Sequence, residues 1–155
     1  MQRARVLPRR LLITGSLLLT LAVAGCLASL ESLVEGTVGV ETAEYGMWRY
    51  APDRCYSGER LQFLGVDLIE GEPEDGRITR IVEEPLEGIS VAVNVPGEDI
   101  ALVFTGEGCE RFDVEIVREN SRVNEIWNIS GFADIQCDGP GVRLNVSTSF
   151  ENCFG

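Results

Sequence analysis

Ile89-Ser90-Val91-Ala92-Val93-Asn94-Val95 is the stretch on which the fold turns. Ile89, Val91, Val93 and Val95 fall on one side of an extended chain and Ser90, Ala92 and Asn94 on the other, because successive side chains of a strand point to opposite faces. Pro96-Gly97 closes the run, and Ile100, Leu102 and Phe104 resume the same alternation until Gly106 and Gly108 interrupt it. Two alternating runs on either side of a Pro-Gly turn predict an antiparallel hairpin.

The pattern continues in both directions. Downstream, Phe112, Val114 and Ile116 alternate with Arg111, Asp113 and Glu115, giving one apolar and one wetted face. Trp127, Ile129, Ala133, Ile135 and Cys137 share one parity, which places Trp127 in the core and makes Gly131, lying between them, a bulge or a close backbone approach. Val142, Leu144, Val146 and Phe150 follow the turn Asp138-Gly139-Pro140-Gly141. Upstream, strands are expected over about Arg77 to Val82 and about Arg60 to Ile69, with an edge strand over about Ala43 to Tyr50. Some seven or eight short strands separated by Gly, Pro, Asn and Asp predict an all-β fold, an antiparallel β-sandwich spanning 43–155 as one domain. Residues 26–42 read differently. Leu27, Leu30, Leu33 and Val34 are spaced as on one helical face, with Gly36 placed to end it, so a short helical or loose tether is expected there.

The front of the chain carries Arg3, Arg5, Arg9 and Arg10 without an acid, then an apolar run from Leu11 to Gly25. That run is shorter than the roughly 20 residues a membrane-crossing helix needs, and it ends in small residues, as a cleavable export signal does. Its last residues, Leu21-Ala22-Val23-Ala24-Gly25-Cys26, resemble the lipobox of bacterial lipoproteins. The resemblance covers 1–26 only. It implies that 1–25 are removed, that Cys26 becomes the lipid-bearing first residue, and that the membrane is a partner through that anchor. With Leu27-Ala28 following and no acid, an outer-membrane location facing the periplasm or the cell surface is expected. Arg9-Arg10 ahead of Leu11-Leu12-Ile13 fits both a general and a twin-arginine export route.

The chain has a formal charge of −12, with no Lys and no His. Without 1–25, nine arginines face 25 acids, a formal charge of −16. A body this acidic repels phosphate backbones, so nucleic acid is not an expected partner. The absence of His removes the usual general base and the commonest metal ligand. Cys55, Cys109, Cys137 and Cys153 lie far apart with no CxxC pair, and four cysteines in an exported chain read as two disulfides. Their connectivity stays open, although a straight hairpin about the turn at 138–141 would hold Cys137 and Cys153 too far apart to bond.

Three further groups are candidates for chemistry. Tyr45, Trp48, Tyr50 and Tyr56 crowd the entry to the domain and are candidates for partner or glycan contact, against packing across the sandwich end. Glu70, Glu72, Glu74 and Asp75 bring oxygen ligands together, a weak calcium candidate lacking the order of an EF-hand loop; a solvated hairpin tip has the same composition, so no metal or other cofactor is expected. An enzyme with this inventory would have to work with carboxylates alone. The sequence therefore predicts a membrane-anchored cell-envelope lipoprotein, a non-enzymatic binding or structural module for an unknown envelope protein or glycan. The alternatives are a lipocalin-like carrier of a small apolar ligand and a carboxylate hydrolase.

Overall fold

The alternation at Ile89 to Val95 is realised as one strand of a two-sheet antiparallel β-sandwich. The structure, a computed structural model, describes residues 31–72 and 76–155; the expected export signal and Cys26 lie outside the described residues. Among the described residues there are ten strands: β1 (Leu33–Thr42), β2 (Gly46–Tyr50), β3 (Arg54–Ser57), β4 (Gly65–Glu70), β5 (Arg77–Glu84), β6 (Gly88–Asn94), β7 (Ala101–Thr105), β8 (Cys109–Val123), β9 (Ile126–Gly139) and β10 (Val142–Cys153). Sheet 1 has the order β2-β1-β10-β9-β8, and sheet 2 is the meander β3-β4-β5-β6-β7. The chain starts in sheet 1, runs through all of sheet 2, and returns, so that β1 pairs with β10 along its whole length from Leu33↔Glu151 to Thr42↔Val142.

Two of the ten strands were not foreseen, and one of them overturns an expectation. Residues 33–42 are neither helix nor tether: they form β1, hydrogen-bonded on both sides by β2 and β10. The helical spacing of Leu30, Leu33 and Val34 competes with a period of two through Val34, Val38 and Val40. The second period prevails because it buries Val38 and Val40 completely or nearly so, at 0% and 2% exposure. The domain thus begins about ten residues earlier than 43. The second unforeseen strand, β3, has only four residues, and the expected strand from Arg60 resolves into a 3₁₀ turn (Gly58–Leu61) followed by β4.

The core lies between the sheets. Val91, Val93 and Val95 of the deciding stretch enter it from sheet 2 together with Leu68 and Ile81. Sheet 1 contributes Val38, Val40, Ile129, Ile135, Leu144, Val146 and Phe150. Phe150, Leu68, Ile81, Ile129, Ile135 and Leu144 are all below 2% exposure, so bulky side chains from both facing sheets fill the space between them.

The cysteines pair at disulfide-bonding distance as Cys55–Cys153 and Cys109–Cys137. Cys109 and Cys137 are register partners on neighbouring strands of sheet 1. Cys55 lies on β3 and Cys153 on β10, so that bridge joins the sheets. The β9–β10 hairpin is straight enough to set Cys137 opposite Leu144 and Cys153 opposite Ile129, which rules out a Cys137–Cys153 bond.

Trp127 corrects another expectation. It is half-buried, and the Arg122 guanidinium lies 3.6 Å from its ring centroid, with Arg118 at 5.7 Å. The reason is a register shift: β8 fits four steps from Arg118 to Arg122 against two on β9, and Trp127 sits beside the Asn124-Glu125 turn. The indole is therefore covered by cationic side chains at the hairpin tip. At Gly131 the expected close approach is present, since a Cβ there would fall 2.0 Å from the Glu115 carbonyl oxygen.

Candidate functional site

In each strand of sheet 1, the residues between the core positions point outward, and cross-strand register decides which of them become neighbours. Arg49 pairs with Gly39, Gly39 with Asn145, Asn145 with Gln136, and Gln136 with Arg111. One row therefore crosses all five strands as Arg-Gly-Asn-Gln-Arg. With neighbouring strands about 4.8 Å apart, its two arginines stand about 19 Å apart at the sheet edges. The rows on either side are Met47, Glu41, Arg143 and Asp138, and Thr37, Ser147, Asp134 and Asp113.

This face holds an open groove of about 590 Å³, lined by residues of all five strands. Its floor is low because Gly39 has no side chain, and a Cβ there would meet only the Asn145 carbonyl oxygen, at 3.9 Å. Met47 stands at the rim with 79% of its surface exposed. Arg111 is oriented by Asp134, donating from Nη1 to both carboxylate oxygens at 2.8 and 3.1 Å. Arg143 donates to Asp138 at 2.5 Å and to Glu41 at 3.1 Å. The hydrogen bond to Asp138, with the negative charge of both carboxylates, raises the Arg143 pKa. Arg49 donates only to the Thr37 hydroxyl, at 3.3 Å, and forms no ion pair among the described residues. Three of the nine arginines of an acidic domain thus meet on one face, two held in place by carboxylates and one without an ionic partner.

The residues singled out from sequence are placed otherwise. Tyr45 is exposed in the turn at 43–45, but Trp48 and Tyr50 point into the core at 8% and 3% exposure. The Tyr50 hydroxyl bonds to Thr79, and burial pushes its pKa up to about 12. Tyr56 belongs to sheet 2 and is half-buried, with Arg60 5.1 Å from its ring centroid. The four aromatics therefore form no common exposed platform. Trp48 and Tyr50 follow the packing alternative, because β2 turns them inward, and Tyr56 is separated from them because β3 lies on the other sheet.

At the acidic stretch, Glu70 accepts from Arg77 at 2.6 Å and from the Ala51 backbone N–H at 3.2 Å, while Glu72 accepts from Arg54 at 3.2 Å. Glu74 and Asp75 lie outside the described residues. Among the described residues no three carboxylate or cysteine side chains are grouped to hold a metal ion. The groove itself was not assigned from the sequence. Parity sets Arg111 on a wetted face, but the lateral order of Arg49, Arg111, Gln136 and Asn145 depends on β1 and on pairing between strands up to a hundred residues apart.

Comparison with known protein families, with characterised proteins and with solved structures finds no match for this chain.

Proposed function

We propose that this chain is an exported, lipid-anchored binding module that holds an extended, carboxylate-bearing glycan of the cell envelope across the outer face of sheet 1. The observation that carries this reading is the Arg49-Gly39-Asn145-Gln136-Arg111 row. The Arg49 guanidinium, which has no ionic partner among the described residues, matches a carboxylate in bidentate geometry, Arg111 keeps donors beyond the Nη1 that Asp134 holds, and the central amides donate to and accept from sugar hydroxyls. The hollow over Gly39 leaves room for a chain to lie along the row. Anchorage rests on the lipobox-like end of the export signal, and the two cystine bridges suit an oxidising compartment. A packed interior favours surface binding over an enclosed apolar ligand, and groove carboxylates already engaged by arginines favour binding over hydrolysis.

Two measurements test the two halves of the proposal. Intact-mass spectrometry of protein from its native envelope should find a chain beginning at Cys26 with added acyl mass, and a Cys26→Ser variant should stay unprocessed; normal processing of that variant would contradict the anchor. Binding of the full chain to an acidic polysaccharide such as polygalacturonate should exceed binding to neutral dextran. An Arg49→Ala/Arg111→Ala double variant should lose about tenfold or more of it, since a charged hydrogen bond contributes about 1.5–3 kcal/mol. Equal binding to both polymers, or an unaffected double variant, would remove the groove from the reading.

A further inference from the structure

The four sheet edges differ in how they are protected. β2, β3 and β8 carry arginine, and β8 adds several acids, whereas β7 reads Ala101-Leu102-Val103-Phe104-Thr105, without a charge or a proline. An uncharged edge strand is a template for another strand. The Val95 backbone N–H donates to the Ile100 carbonyl, so Ile100, Leu102 and Phe104 direct their backbone groups toward β6. By alternation, the N–H and C=O groups of Ala101, Val103 and Thr105 point to the open edge. Val103 is 66% exposed and Ile100 45%. Leu102 of β7 is only partly buried against the core, as is Phe112, which lies against Gly106 just beyond the end of the strand.

We infer that β7 takes an added antiparallel strand from a partner polypeptide whose central residues are uncharged and whose flanks are basic. Charge selects this occupant. Asp99 and Glu107, both exposed, lie four residues either side of Val103, with Glu98 and Glu110 beyond them. A second copy of the chain, centred on Val103, would bring the acidic turn at each end of β7 beside an acidic turn of its partner, and like charges held close repel. A strand with Lys or Arg at both flanks meets the two acidic turns with opposite charge instead. Alternate apolar side chains of the incoming strand would cover Leu102 and reach toward Phe112. This inference does not depend on the sheet 1 groove.

The test uses the full chain and synthetic thirteen-residue peptides with an alternating Val/Thr centre and either Lys or Glu flanks, read by fluorescence anisotropy and amide hydrogen exchange. The Lys-flanked peptide should bind at least tenfold more tightly than the Glu-flanked one and should protect the amides of Ala101, Val103 and Thr105. Val103→Pro removes an N–H that the fold does not use, so it should preserve the far-ultraviolet circular dichroism and lose binding at least tenfold. If that variant fails to fold, Asp99→Lys/Glu107→Lys takes its place and should reverse the preference for flanks. Binding that ignores flank charge, protection elsewhere in the chain, or a wild-type dimer that Val103→Pro converts to a monomer would overturn the proposal.

Discussion

A Cys55→Ala/Cys153→Ala double variant is expected to lose about 4–5 kcal/mol, about a third or more of the 5–15 kcal/mol net stability usual for a domain. The two cysteines are separated by 98 residues, against 28 for Cys109 and Cys137. Cross-linking removes loop-closure entropy from the unfolded chain, so the chain-entropy relation assigns about 4.7 kcal/mol to the longer loop and about 3.6 kcal/mol to the shorter. Location adds to the difference. Cys55 and Cys153 are 1% and 0% exposed between the sheets, so truncating them leaves a void, whereas Cys109 is half-exposed at the β8 edge beside strands already hydrogen-bonded to each other. Urea unfolding of the wild type and of each double variant measures both costs. Equal losses, or a larger loss for Cys109→Ala/Cys137→Ala, would show that the bridge between the sheets does not hold the sandwich shut.

What the sequence disclosed, and what it withheld, follows from the distance over which each feature is encoded. The β6–β7 hairpin was legible because its alternation and its Pro-Gly turn lie within about fifteen consecutive residues. The same local logic located β5, β9 and β10, and it placed both disulfides in an oxidised domain without pairing them. Pairing needed the third dimension, since Cys55 meets Cys153 only after five strands of sheet 2 have been laid down. The groove was illegible for the same reason. Its Arg49 and Arg111 come from opposite edges of sheet 1, and the strand between β2 and β10 was the one mistaken for a tether. Trp127 failed in a different way. Its parity was right for the core, but a bulge in β8, which no periodicity reveals, and its place at a hairpin tip left it to Arg122 and Arg118.

Gly36 shows how that mistaken strand can be tested. Read as a helix stop, it sits in solvent and an alanine there should cost little. As a residue of β1, it has φ +116° and faces β10 so closely that a Cβ would lie 1.9 Å from the Ser147 carbonyl oxygen and 2.8 Å from the Thr148 Cα. Both obstacles are backbone, so no side-chain rotation relieves them, and alanine disfavours the dihedral besides. Gly36→Ala should therefore force β1 away from β10 in the register that closes sheet 1, costing about 2–5 kcal/mol, about 1–2 kcal/mol for the dihedral added to about 1–3 kcal/mol for the collision. Gly46 is the matched control. It also has a positive φ, +79°, but a Cβ there has nothing within 4 Å, so Gly46→Ala should lose only the left-handed penalty of about 1–2 kcal/mol. Chemical denaturation of the two variants separates conformational preference from collision. A Gly36→Ala chain as stable as Gly46→Ala would mean that residues 33–42 do not pair with β10, and with that the floor of the groove at Gly39 would be lost as well.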